Sequence, residues 1–433
     1  MTTRRTMVAL AVAAAVGAAS ALSAAEPPRT FTLTTKSDPA RAKLRELQDR
    51  VESFQGGAPA AAMARQILEL DPEFAMAVYY LSATTPPPDN QKHLDRAVEL
   101  SRKASKGERR FIEAMVLARG KTPAAAVEPL RKLAADYPGE RVLYILLGQS
   151  LSGLGRHDEA RAAYEQAIKI SDRTPRAYAL LGNYHLMKGD YARAREYYTI
   201  ARGKVPAGVA PGATSYGIAF THLYEGNVDQ ALKTLTAYVD DYRNATVRFG
   251  ELPEVFIWNS IARINLENGR LEEAMKAYEK GFETVPGSKL NEEEKKIWLG
   301  RLHHGRGRTL SRMGKQEEAW KEAEIVRQMI AEGGERGKQF EPAYHYIAGY
   351  LKLEAGDPAA AIEHLKQAEV EDDPFRMLLL ARAYEKSGKK DEAKKLYSEI
   401  VNFPQSNLER ALAYREAMKR LAMLKALSVA IDA

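Results

Sequence analysis

The chain has 433 residues, 45% of them hydrophobic and 28% charged, with a formal net charge of +7. Such a composition excludes a disordered chain, and the length suits two or three compact domains or one elongated array. The absence of cysteine excludes disulfides, thiolate metal sites, cysteine nucleophiles and a lipid anchor on an N-terminal cysteine.

Residues 1–25 read as an export signal. Arg4 and Arg5 form a positive start, Met7 to Ala19 is an uncharged Ala/Val/Leu run, and Ser23-Ala24-Ala25 supplies small residues for cleavage before Glu26. An uncleaved anchor is the alternative, but the run is short and alanine-rich for a membrane span. The arginine pair leaves general and twin-arginine export both open. Losing those two charges takes +7 to +5, too little to argue for nucleic acid as a partner. The mature chain is therefore expected to be a soluble bacterial protein, periplasmic or secreted, with no transmembrane segment.

Residues 26–40 read as an extended or mobile lead-in, with Ser37 or Asp38 capping a helix that has Pro39 in its first turn. Residues 41–107 carry helical patterns of degenerate spacing, interrupted by "TTPPPDNQ" at 84–91. From about 108 to 401 the chain repeats. The stretch 146–168, "LLGQSLSGLGRHDEARAAYEQAI", aligns without gaps on 180–202, "LLGNYHLMKGDYARAREYYTIAR", at an offset of 34. Glycines at 155, 189, 226, 269, 314, 356 and 388 are each followed five residues later by Ala160, Ala194, Ala231, Ala274, Ala319, Ala361 and Ala393. Seven residues before those glycines stand Gly148, Gly182, Ala219, Ala262, Gly307, Gly349 and Ala381, all small.

This punctuation predicts paired antiparallel helices. The turn glycines (Gly155 and Gly189 in the clearest units) end the first helix, and Asp158, Asp190, Asp229 and Asp391 are placed to cap the second. Small residues on either side of the turn let the helices approach, while Tyr164, Tyr198, Tyr278 and Tyr397 fill the space beside them. Pro138, Pro206 and Pro286 stop second helices. A single pair cannot bury its apolar faces, so neighbours must stack. Residues 402–433 are read as a C-terminal capping helix, with Leu408, Ala411, Leu412, Met418, Leu421 and Leu424 at helical spacing. Arg410, Arg415, Lys419, Arg420 and Lys425 on its polar side leave a membrane-surface or partner helix as the alternative.

The spacing Tyr178…Leu181-Gly182…Ala194…Tyr198…Ala201…Pro206 resembles the tetratricopeptide repeat. The resemblance implies an all-α, right-handed solenoid of about ten helical pairs. Long connections at 203–214 and 331–339 depart from the family pattern and are expected to alter the curvature.

Catalytic signatures are missing: there is no GxSxG, phosphate-cradling glycine loop, HExxH or EF-hand pattern. His303 and His304 point about 100° apart on a helix, poor geometry for a shared metal. The acidic runs 291–296 and 369–374 suit helix starts. The sequon at 244–246 is given no role. The repeats leave no room for a separate catalytic fold, so no enzyme, cofactor or metal is expected. An enzyme with a site between repeats is the remote alternative.

The resemblance also implies a concave groove lined by first helices. Carried onto this chain residue by residue, it would present Arg176, Asn183, Tyr216, Phe220, Asn259, Arg263, Arg301, His304, Arg308, Arg312, Tyr346, Tyr350 and Arg382. The family's lysine-asparagine carboxylate clamp is not reproduced: Ile145, Ala179 and Tyr216 stand where a clamp lysine would. A groove mixing cations and tyrosines suits an acidic protein or peptide partner, or an anionic glycan. Arginines that merely tie repeats together are the plainer reading. The expectation is an exported scaffold or adaptor in the cell envelope, with a cell-wall glycan binder as the alternative.

Overall fold

The computed structural model describes residues 28–120, 122–248 and 253–432. The export-signal reading, on residues 1–25, lies outside them. The described residues form an α-solenoid with no strand beyond an isolated bridge between Val209 and Val247. No helix among them is long and apolar enough to cross a membrane.

The N-terminal part contains α1 (Asp38–Glu52), α2 (Ala58–Leu70), α3 (Ala75–Thr84), α4 (Asp89–Ser101), α5 (Lys106–Arg119) and α6 (Val127–Asp136). The clearest pairs follow: α7 (Arg141–Gly153) with α8 (His157–Ile170), α9 (Arg176–Met187) with α10 (Tyr191–Gly203), and α11 (Gly212–Glu225) with α12 (Val228–Asn244). Next come α13 (Glu254–Glu267) with α14 (Leu271–Phe282), and the long α15 (Glu292–Arg312) with α16 (Gln316–Glu332). After the single turn α17 (Gly334–Gly337) stand α18 (Glu341–Glu354) with α19 (Pro358–Leu365), and α20 (Pro374–Lys386) with α21 (Lys390–Asn402). The chain ends in α22 (Leu408–Asp432). Each helix packs mainly on its chain neighbours, and successive first helices such as α9 and α11 or α18 and α20 also touch.

The repeat punctuation has a steric basis. All seven turn glycines adopt positive φ, from 74° at Gly155 to 84° at Gly226. All seven alanines five residues on are buried. A Cβ on Gly182 would come within 2.6 Å of the Tyr198 ring, so the two helices can meet there only without a side chain. Capping follows a tighter rule than the expected one. The cap position is the residue directly after the turn glycine, and of the four aspartates only Asp190 occupies it, accepting from the Arg193 amide at 3.2 Å. Asp158, Asp229 and Asp391 fall inside the first helical turn, where they favour the positive end of the helix dipole. Asp357, unremarked in the sequence, does cap, accepting from the Ala360 amide at 3.1 Å.

The lead-in is extended and docked. The Phe31 ring packs edge-on against Tyr137 at 4.9 Å, and its amide donates to the buried Glu140 carboxylate at 2.7 Å. Ser37 is the cap of α1, accepting from the Ala40 amide. The acidic runs behave as helix starts: Asn291 and Glu294 form a reciprocal capping box, and Asp373 caps α20.

The C-terminal helix does more than cap. α22 covers α20 and α21 and then reaches back across the solenoid to α11 and α13. Its buried face is also rotated from the expected one. Leu408, Ala411, Leu421 and Leu424 are buried as read, but Met418 is 43% exposed and Ala413 and Ala417 take the core positions. Arg410, read as polar-side, is 4% exposed, and it donates to the Tyr224 hydroxyl at 2.8 Å and the Val401 carbonyl at 2.8 Å. A small-residue face lets α22 lie close to the inner surface, and that turns its neighbouring arginine inward.

Candidate functional site

The thirteen groove residues all stand on first helices, from α9 to α20. Seven of them, Tyr216, Phe220, Asn259, Arg263, Arg301, His304 and Arg308, line one cavity of about 510 Å³. Asp373, Arg376 and the start of α22 from Ser406 to Glu409 complete its wall. The space is thus bounded on one side by the chain's own last helix.

The remaining six do not open into it. Arg176 reaches only Gln149 Oε1, at 3.5 Å, and Asn183 Oδ1 accepts from the Tyr198 hydroxyl at 2.6 Å. Arg312 donates to the Leu266 carbonyl at 2.5 Å, and Tyr350 is 1% exposed. Tyr346 is buried and accepts from Arg308 Nη1 at 3.0 Å. Arg382 makes a bidentate pair with Glu416 of α22, at 2.8 and 2.5 Å.

Within the cavity the arginines differ sharply. Arg308 is nearly fully buried, donating to the Tyr346 and Tyr278 hydroxyls at 3.0 and 3.1 Å and lying 3.7 Å from Glu267. Burial alone would lower its pKa, but Tyr346, Tyr278 and Glu267 together hold it above the ordinary value. Burial raises the Glu267 pKa against the pull of Arg308 and Arg382. Arg263 pairs with Glu409 of α22, and Arg376 with Asp373 at 3.2 Å. Arg301 has no carboxylate partner among the described residues; its guanidinium lies 4.5 Å from the Trp298 ring centroid. It is open to water at the mouth, yet the walls and the Arg263 charge push its pKa down.

His304 lies one turn on from Arg301, against the Tyr346 ring at 4.6 Å. It is 9% exposed, and its Nε2 has no hydrogen-bond partner. Burial, reinforced by Arg308, Arg376 and Arg263, pushes its pKa well down, so the ring is neutral. The adjacent His303 faces elsewhere and meets Glu322 at 2.5 Å, as the separation of consecutive helix residues requires. No group of three or more metal-ligating side chains occurs among the described residues.

Sequence reasoning missed Asp373, Arg376 and Glu409, which add two carboxylates and a further arginine to the cavity wall. Asp373 and Arg376 belong to a helix start, and Glu409 is brought in from 146 residues away. Nothing local to Glu409 announces that pairing.

A family model described as tetratricopeptide repeat matches residues 145–209 and 216–288, and a second of the same description matches 352–416. No curated protein matches the sequence. Among solved structures, a Rap protein complexed with competence and sporulation factor is 12% identical at a TM-score of 0.48, covering 89% of this chain and 99% of that one. A tetratricopeptide repeat protein from Parabacteroides merdae is 16% identical at a TM-score of 0.45, covering 64% and 98%. PilW, a type IV pilus biogenesis factor, is 14% identical at 0.40, covering 54% and 98%. At these identities the likeness is one of fold alone.

Proposed function

We infer the function from the premise that this chain is a tetratricopeptide-repeat protein, built on a fold for binding other proteins. We propose an exported, non-enzymatic adaptor of the cell envelope, whose first-helix face takes an amphipathic helix bearing acidic residues. The seating of α22 on that face supports this reading. Glu409 and Glu416, two helical turns apart, pair with Arg263 and Arg382, while Ala411 and Leu412 pack between them on the apolar surface. A helix-in-groove contact of this kind needs only charge at two-turn spacing and a small apolar stripe, which a partner can supply as well as α22 does.

The glycan reading has narrower support. Tyr350 is buried and the Tyr216 ring is packed against Phe220, Tyr238 and Phe256, so stacking surface for a sugar is confined to what Tyr216 and Tyr346 show at their cavities.

The test uses the full chain carrying Glu409→Gln and Glu416→Gln, which weakens α22 without removing its apolar cover. A labelled peptide of residues 406–427 is expected to bind this variant and to be competed by an envelope protein crosslinked to the wild type in cells. Failure of the peptide to bind, or no crosslinked partner, would sink the proposal. For export, the N-terminus of the protein recovered from the envelope should begin at Glu26 by mass spectrometry; an intact Met1 would refute it.

A further inference from the structure

A second cavity, of about 610 Å³, adjoins the first and shares Arg301, His304 and Arg376 with it. Its walls come from α15, α16, the α17 turn and α18, and its lining is largely apolar, with Ile297, Val326, Met329, Ile330, Phe340 and Pro342. The α17 turn can close one wall because a Cβ on Gly337 would lie 1.9 Å from the Ile330 carbonyl oxygen. Each cavity falls in the range of roughly 300–1,000 Å³ typical of small-ligand sites.

The shared wall carries an arginine with no carboxylate partner among the described residues. The first cavity shows four arginines, Arg263, Arg301, Arg308 and Arg376, against two carboxylates, Asp373 and Glu409. Glu409 takes Arg263, Asp373 takes Arg376, and Glu267 from behind the wall takes Arg308. Arg301 is left without a carboxylate partner among the described residues; the second cavity adds Glu292, Glu293 and Glu369 against Lys296 and Arg336, and none of the three carboxylates forms an ion pair with it. Arg301 is open to water at the mouth, and an anion entering there gains a charge-assisted contact with its guanidinium. Beside it, the orphaned His304 Nε2 is a buried polar atom of the kind normally satisfied by a bound partner.

Gly300 adds an independent sign. Elsewhere on α15 the glycines serve packing: a Cβ on Gly305 would strike the Tyr278 ring at 2.5 Å, and one on Gly307 would strike Ile347 at 2.7 Å. A Cβ on Gly300 would meet nothing closer than Met329 Cε at 3.8 Å. A glycine in mid-helix costs stability relative to alanine, and here no helix contact requires it. What it leaves is room in the apolar cleft, one residue before Arg301.

We propose that the joined cavities bind a small amphiphilic monocarboxylate, its carboxylate on Arg301 and its apolar chain in the cleft between α15, α16 and α18. α22 bounds the space, so it accommodates a compact ligand and not an extended polypeptide passing through. This site shares the Arg263–Glu409 wall with the helix-binding face proposed above but rests on Arg301 and the apolar cleft, so either reading can fail alone.

The experiment titrates the full chain with dodecanoate below its micellar range, read by calorimetry and by the fluorescence of Trp298 beside Arg301. Saturable one-to-one binding is expected, weakened at least tenfold by Arg301→Gln and at least tenfold when dodecanol replaces the acid. Gly300→Leu fills the cleft and should abolish binding while leaving the melting temperature unchanged or raised, which separates blockage from misfolding. Absence of dodecanoate binding, or equal binding to Arg301→Gln, overturns the proposal. So does preferential uptake of a peptide with a free carboxy-terminus and bulky apolar end residues, which would make the occupant a protein chain end.

Discussion

Arg308 and Arg301 stand two turns apart on α15, and their surroundings assign them opposite roles. Arg308 is held by two tyrosine hydroxyls and Glu267, all buried, so Arg308→Ala would leave the buried carboxylate with only the pair to Arg312, at 3.8 Å. Such a loss typically costs about 3–5 kcal/mol, and urea denaturation should show it, whereas Arg301→Ala should change stability by less than about 1 kcal/mol. Equal effects would refute this division. Gly182 makes a comparable case for packing. Its missing side chain leaves the space that the Tyr198 ring occupies, and the same ring fits against Gly217 on α11, where a Cβ would come within 2.5 Å. Gly182→Leu should therefore cost about 1–3 kcal/mol and lower the melting temperature; unchanged melting would count against this register. Both residues were singled out by their position in the repeat, but only Gly182 has a role that its repeat position explains.

At the scale of elements, α22 carries the main departure from the expected architecture. As a cap it was legible, because its apolar positions recur at helical spacing. Its path back to α11 and α13 was not, since Leu408 and Ala411 suit either surface. The docking is partly electrostatic and hence pH-dependent. Burial would raise the pKa values of Glu409 and Glu416, but Arg263 and Arg382 outweigh it and hold both below the ordinary carboxylate range. A depressed carboxylate contributes stability that is present above its unfolded pKa and lost as pH falls through the folded one. Amide exchange of 408–424 should thus accelerate below about pH 4, ahead of α7 and α8. Parallel loss of protection in all three helices would show that the pairs contribute nothing specific to docking.

For the whole molecule, long-range stitches modify an otherwise nearest-neighbour array, the pair of Glu52 in α1 with Arg141 in α7 among them. The lead-in joins Phe31 to Glu140, and α22 joins Glu409 to Arg263. A solenoid without such stitches unfolds in loosely coupled segments, because each repeat touches only its neighbours. With α22 bridging α11, α13 and α20, the central and final pairs should unfold together. Arg263→Gln combined with Arg382→Gln should then broaden the urea transition or split it in two; an unchanged transition would rule this coupling out.

The repeat itself was fully present in the sequence: the turn glycines, the alanines five residues later and the small residues seven before all describe contacts within one helical pair or with the next. Those contacts are short-range, so a unit of 34 residues at its clearest, and of looser length afterwards, encodes them locally. The thirteen groove positions were likewise legible as first-helix residues. Which of them face a cavity, which are pinned by α22, and which arginines are left without a carboxylate partner depend on the curvature summed over many connections. That curvature brings Glu409 to Arg263 and Glu416 to Arg382 across distances in sequence that no local pattern spans. Stacking was a property of the sequence; the charge balance of the inner surface was decided only by the folded superhelix.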